Sequence, residues 1–493
     1  MNNMPSTKKR KSSSSKRRKA DTASPEGIRK RSLKRWARAA FDRLSTSPFL
    51  LSLPLSLLFL SQLTDFLVLL KVTDASSLLI FSAQPVQSDD PRRIEAEGLQ
   101  KTFQAILYLY LLVMCAFNWR AVFGYFRQWP HLVLIVGMLL FTATYSTEPT
   151  KVITNSILIL ISILIPLAFA IGHKDYPDRV VRFYLYLLVP FIVSHSASLL
   201  LLFYYGMSPF EIITSTNRYG GLAGNPNTLG NTAVIGLWAC FAIILSQQTG
   251  KLLRAFAIVS VLVFANSIAM SGSGTALAVS LVVVALLFWM RFVSAFSAQV
   301  RGAVNVFATA IFLCGVLAVL VMVTPAQIFL VFTESMGKDA TLTGRTELWD
   351  MAKGAIAQRP WLGWSFDSHA SVKAEREFFI DHNHYHNGFL DTLVEGGAVL
   401  LALVLYHLAH FARVFIKAFH RNRTLFTLVV PGIMLVILNI SEYSLLRPLS
   451  EIWQLYIACF VLLTFRTVAT SNQSSTRRTK SSRKRSKRVL RWA

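Results

Sequence analysis

Three stretches in the C-terminal third combine residue types that could act on an anionic substrate carrying hydroxyl groups. They are TLTGRTELW at 341–349, RPWLGW at 359–364 and DHNHYHNGFLDTLVEGG at 381–397. Arg345 offers a charge that cannot be titrated away. His382, His384 and His386 alternate, so an extended segment would put three imidazoles on one side, a spacing compatible with a metal. No carboxylate or cysteine set completes that motif. A second reading starts from Asn387, which can cap a helix whose apolar positions Phe389, Leu390, Leu393 and Val394 follow at helical spacing. His386 would then stand at a helix N-terminus, where the dipole disfavours imidazolium and keeps the ring neutral. A neutral imidazole can orient a hydroxyl or take its proton. An ordinary interfacial histidine is the third reading.

Arg345 needs an element to hold it. Leu348, Trp349, Ala352, Ala355 and Ile356 recur on one face of a helix, Thr343 can cap its start, and Pro360 disfavours helix at Arg359. The pattern predicts an amphipathic helix from Arg345 to Gln358, lying along a membrane surface with Trp349 in the interface. Arg345 and the preceding Gly344 would sit at its first turn, where unsatisfied N–H groups already favour an anion. A solvated surface arginine is the alternative.

A second loop adds to the constellation: STNRYGGLAGNPNTLGN at 215–231. Arg218 is its one arginine, and Asn225 and Asn227 bracket Pro226 where a turn and a helix cap are expected. Gly220, Gly221 and Gly224 permit close backbone approach. Together these form a candidate second contact for phosphate or sugar. Ser271 and Ser273, in SGSGT at 271–275, add hydroxyls, although a tight turn explains that stretch as well.

The elements that must position these loops are membrane helices. With 53% hydrophobic and 15% charged residues in 493, a soluble domain is excluded. Twelve segments are apolar enough to cross a bilayer as helices: 48–70, 101–118, 129–147, 151–172, 179–204, 228–247, 252–270, 273–292, 302–323, 393–417, 424–442 and 449–467. Residues 1–47 hold 15 Lys/Arg and 3 acids, and residues 468–493 hold 9 Lys/Arg and no acid. Both tails read as basic, disordered and cytoplasmic, serving topology and anionic lipid rather than nucleic acid. Short loops bearing Arg120 and Arg127, then Lys174, Arg179 and Arg182, then Lys251 and Arg254, alternate with leaner ones. The expected plan is therefore helices 1–9 over 48–323, an outer loop at 324–392, and helices 10–12 over 393–467. Arg218, Arg345 and His386 then share the outer face. Cys115, Cys240, Cys314 and Cys459 all fall within spans, so no disulfide framework is implied.

As a set, RYGGLAGNPN before a span, GRTELW followed by RPWLGW in a large outer loop, and HNGFLDTLVEGG leading into the next span resemble the bacterial O-antigen ligase and polysaccharide polymerase superfamily. The wording of TLTGRTELW and HYHNGFLDTLVEGG is similar to exopolysaccharide polymerisation proteins of the ExoQ type. The resemblance implies an all-α, GT-C-like glycosyltransferase of the inner membrane that needs no metal or other cofactor. Its substrates would be undecaprenyl-diphosphate-linked glycans, with membrane lipids around it and a flippase and copolymerase as pathway partners. It implies Arg218 and Arg345 on the diphosphate and His386 on the acceptor hydroxyl. Asn225, Asn227, Gly344, Trp349, His384, Asn387, Ser271 and Ser273 are the expected substrate contacts. Family members often carry arginine after the serines, where this chain has Gly274. Ligation to a lipid A core and a twelve-span transporter are the rival functions. A transporter would place its telling polar groups within spans, whereas here they crowd the outer loops.

Overall fold

The computed structural model describes residues 47–55, 91–176, 178–205, 218–223, 225–246, 248–296, 300, 345–366, 384–421, 423–448 and 450–465. Both basic tails, the expected span at 302–323, most of that at 48–70, Cys314, Gly224, Gly344, His382 and the side chain of Arg345 lie outside the described residues. Within them every regular element is helical.

In chain order the α-helices are α1 (Pro48–Ser52), α2 (Pro91–Phe117), α3 (Trp119–Gln128), α4 (Pro130–Thr142), α5 (Pro149–Gly172), α6 (Arg179–Tyr205) and α7 (Pro226–Leu245). They continue with α8 (Lys251–Ser271), α9 (Gly274–Ala295), α10 (Arg345–Gln358), α11 (Gly388–Arg421), α12 (Val430–Ser441) and α13 (Glu451–Phe465). Seven of the described helices are long and apolar enough to cross a membrane: α2, α5, α6, α7, α8, α9 and α11, in whole or in large part. The stretch expected to span at 129–147 is instead the second arm of a bent pair. Amphipathic α3 meets it at 90° across Trp129, where Pro130 cannot donate the hydrogen bond that would continue α3. The stretches expected at 424–442 and 449–467 are helical but shorter.

Local chemistry explains the joints. Asn225 caps α7 by accepting from the N–H groups of Asn227 and Thr228, with Pro226 in the first turn. Left-handed Gly272 ends α8, and the Ser273 hydroxyl caps α9. The second half of α5 and nearly all of α13 are buried, so these two are central. By contrast Leu109, Leu252, Leu262 and Leu281 are exposed on α2, α8 and α9, as befits surfaces whose solvent is hydrocarbon.

α11 is not one continuous rod. Gly397 has φ 65° and ψ −166°, which breaks the helix one turn inside its apolar run. The segment 360–365 lies across the break and satisfies its exposed peptide groups. Trp364 and Ser365 donate their N–H groups to the carbonyls of Val394 (2.7 Å) and Glu395 (2.9 Å), while Ala398 and Val399 donate to Pro360 (2.8 Å) and Trp361 (3.3 Å). Such an approach needs glycine on both sides. A Cβ on Gly397 would stand 2.2 Å from the Trp361 carbonyl, and one on Gly363 would stand 2.5 Å from the carbonyl carbon of Glu395. The LGW and EGG wordings are thus two halves of one interlock.

Candidate active site

The site is built where the start of α11 meets the segment that follows α12. Asn387 caps α11, its side-chain oxygen accepting from the N–H groups of Phe389 and Leu390, both at 3.1 Å. Its amide also donates to the carbonyl of Ile440 at 3.2 Å, and the N–H of Gly388 donates to the carbonyl of Glu442 at 3.0 Å. The two segments are therefore stitched through main chain. His386 directly precedes the cap with φ 51°, a left-handed conformation that costs a residue with a Cβ about 1–2 kcal/mol. Neighbouring bonds hold it there. Its N–H donates to Nδ1 of His384 at 3.2 Å, and the N–H of Tyr385 donates to the buried carboxylate of Asp391 at 3.0 Å.

α10 closes one side. Leu348, Ala352 and Ala355 are buried with Trp364, Tyr385 and Val394 in a small apolar cluster separate from the main core. Each fully buried large side chain in it contributes about 1.5–3 kcal/mol. The indole N–H of Trp349 donates to the carbonyl of Tyr385 at 3.1 Å, and that of Trp364 donates to the carbonyl of Ala355 at 2.9 Å. The amphipathic face thus packs on protein rather than on a membrane surface, because Tyr385 and Val394 offer it apolar area together with a carbonyl that hydrocarbon lacks. Arg345 is the first residue of α10, in the first turn where the sequence pattern put it.

Arg218 is positioned from the other side. Its Nε donates to the carbonyl of Ser271 at 3.0 Å and a terminal nitrogen donates to the side-chain oxygen of Asn227 at 2.6 Å. The guanidinium lies against the α8–α9 turn, which Ser271 and Ser273 build. Ser271, fully buried, donates to the carbonyl of Ile268 and accepts from the N–H of Ser273, while the Ser273 hydroxyl caps α9. These two hydroxyls serve the turn, Asn225 serves the cap of α7, and Asn227 serves Arg218. Gly274 opens α9 at the same turn. Burial pulls the Arg218 guanidinium below its usual pKa, and the nearby Glu442 carboxylate pushes it back up. The main-chain carbonyl of the same Glu442 accepts the N–H of Gly388 at the start of α11.

Beneath lies a polar group that the sequence reading missed. Arg447 and Glu395, both buried, form an ion pair. Glu395 also accepts from the Tyr443 hydroxyl at 3.3 Å, and the Arg447 guanidinium lies 3.5 Å from the centroid of the Tyr443 ring. The available signal was an acid at the mouth of a predicted span.

Residues 257–405 match the O-antigen ligase family. The matched stretch contains the α8–α9 turn, α10, the histidine loop and the Gly397 interlock, and ends before Tyr443 and Arg447. Over these residues the chain is similar to the O-antigen ligase and polysaccharide polymerase superfamily. It is 28% identical over 209 residues to the exopolysaccharide production protein ExoQ of Rhizobium meliloti (strain 1021), an alignment covering 41% of this chain and 47% of that protein. The chain thus spans about half the length of this curated relative. The arrangement fixes a histidine beside a capped helix N-terminus and an arginine on the α8–α9 turn.

Proposed function

We propose that the protein polymerises undecaprenyl-diphosphate-linked oligosaccharide repeat units into exopolysaccharide at the periplasmic face of the inner membrane. The observation that carries this reading is the pair of fixed groups: Arg218 held against the α8–α9 turn by Ser271 and Asn227, and His386 held in a left-handed turn directly before the cap of α11. Breaking the anomeric C–O bond leaves the electron pair, and so negative charge, on the diphosphate of the donor. Arg218, aided by Arg345 at the first turn of α10, stabilises that charge more as it develops than before, which lowers the barrier. His386 takes the proton of the acceptor hydroxyl as its oxygen bonds to the oxocarbenium-like carbon on the opposite face, inverting the anomeric configuration. Donor glycan, acceptor and diphosphate account for all atoms and charge, so the scheme calls for no nucleotide sugar and no metal. Arg218 sits at the turn where Gly274 replaces the arginine common in the superfamily, and supplies positive charge there.

The same chemistry with a lipid A core as acceptor would make the protein a ligase; similarity to a protein named for exopolysaccharide production supports the polymerase reading. Incubating the purified chain with lipid-linked repeat units, without core and with EDTA, tests both points. Elongated lipid-linked glycan is the expected product. Reaction only after core is added would make it a ligase, and loss of activity in EDTA would return the histidines, His382 included, to the metal reading.

A further inference from the structure

His384 stands two residues before the proposed base and is held by its neighbours. Its Nδ1 accepts the N–H of His386 at 3.2 Å. A ring nitrogen that accepts carries no proton, so this bond holds His384 in the neutral tautomer protonated on Nε2. The ring lies parallel to Tyr443, with centroids 4.7 Å apart and 9° between planes, and meets His386 edge-on at 4.1 Å and 75°. Tyr443 is itself immobilised, its hydroxyl on Glu395 and the Arg447 guanidinium 3.5 Å from its centroid. A parallel ring and a guanidinium cannot share one face at these distances. Tyr443 is therefore sandwiched, and the stack His384, Tyr443, Arg447 ends on the buried Glu395.

We infer that His384 is a positioning residue: clamped on Tyr443, it holds the main chain of His386 in the left-handed turn that sets the direction of the catalytic ring. This rests on His386 being the base. The Nδ1 bond is the imidazole counterpart of the side-chain bond that asparagine makes to the N–H two residues on. Oδ1 of asparagine occupies the same place along the side chain as Nδ1 of histidine. Substitution can therefore separate the two contacts, since asparagine keeps the acceptor without the stacked ring and phenylalanine keeps the ring without the acceptor.

The test is steady-state kinetics of the full chain with lipid-linked repeat units. His384→Asn should lower kcat about 3-fold, and His384→Phe on the order of 100-fold, the cost of misplacing a reacting group by about 1 Å. KM for the donor should stay unchanged in both. Equal losses in the two variants would overturn the inference, because the acceptor would not be what matters. A raised KM at constant kcat would also overturn it, making His384 a substrate contact. Should His384→Phe fail to insert, His384→Gln takes its place with the same expectation, since its oxygen reaches beyond the position of Nδ1. His386→Ala serves as the reference. If that variant stays active the functional reading itself fails, whereas if it is inactive and His384→Phe is not, only the positioning role fails.

Discussion

Two groups of histidines lie before and along α11, and they are held in different ways. At its start, His384 and His386 are tied to main chain, to the cap of the helix and to a buried ion pair. Farther along, beyond the break at Gly397, the contacts run from side chain to side chain. Nδ1 of His407 lies 3.0 Å from Nε2 of His131, and the His410 ring lies 5.1 Å from those of His131 and Trp129. Nε2 of His407 and both ring nitrogens of His410 have no hydrogen-bond partner among the described residues. Main-chain anchoring fixes the pose of a reacting group, because moving it means unmaking a helix cap. A box of aromatic rings fixes mainly volume, and one ring of similar size can stand in for another.

The sharpest way to break this comparison is to remove one histidine from each group. His386→Ala should lower polymer formation by about 10²- to 10⁴-fold, the range for losing a general base. His410→Ala, on a partly buried ring outside the site, should stay within about 2-fold. Both need only polymer length and yield from membranes with matched protein content. Equal losses would mean that the two groups serve one function.

Glu395→Ala attacks the anchoring itself. It leaves the Arg447 guanidinium buried without its carboxylate, and breaking a buried pair from one side costs about 3–5 kcal/mol. The unfolding midpoint of the purified protein should fall markedly, and polymerisation should fall with it, since Tyr443 loses its hydroxyl partner. Glu395→Gln, which keeps an acceptor, should lose less. A midpoint unchanged in Glu395→Ala would show that the histidine loop does not depend on the ion pair beneath it.

Much of the anchored region was legible in the sequence because its signals are local. Asn387 before an apolar helical run, Asn225 before Pro226, and Pro360 after the pattern of α10 each act within a few residues. What was not legible depends on partners far along the chain. SEYSLLRP at 441–448 reads as a turn between two apolar stretches, yet Glu442, Tyr443 and Arg447 tie it to residues 384–395. The apolar face of α10 announced an amphipathic helix without saying what would cover it, and protein covers it. His131 belongs with His407 only through a pairing 276 positions apart, beyond the reach of any periodicity.

The smallest effect belongs to that pairing and tests the second half of the comparison. His131 and His407 are both buried, and one ring nitrogen must donate to the other. His131→Phe keeps an aromatic ring but leaves Nδ1 of His407 without its partner, at a cost of about 1–3 kcal/mol. His407→Phe should do the same to His131. Replacing both removes the donor and the acceptor together, so the double variant should lie closer to the wild type than either single one. The coupling between them should be about 1 kcal/mol, as for hydrogen bonds between membrane helices. Unfolding midpoints of the four proteins measure it. If the double variant shows the sum of the single losses, the two rings act independently; if polymerisation also falls while stability does not, this end of α11 has a role in the reaction.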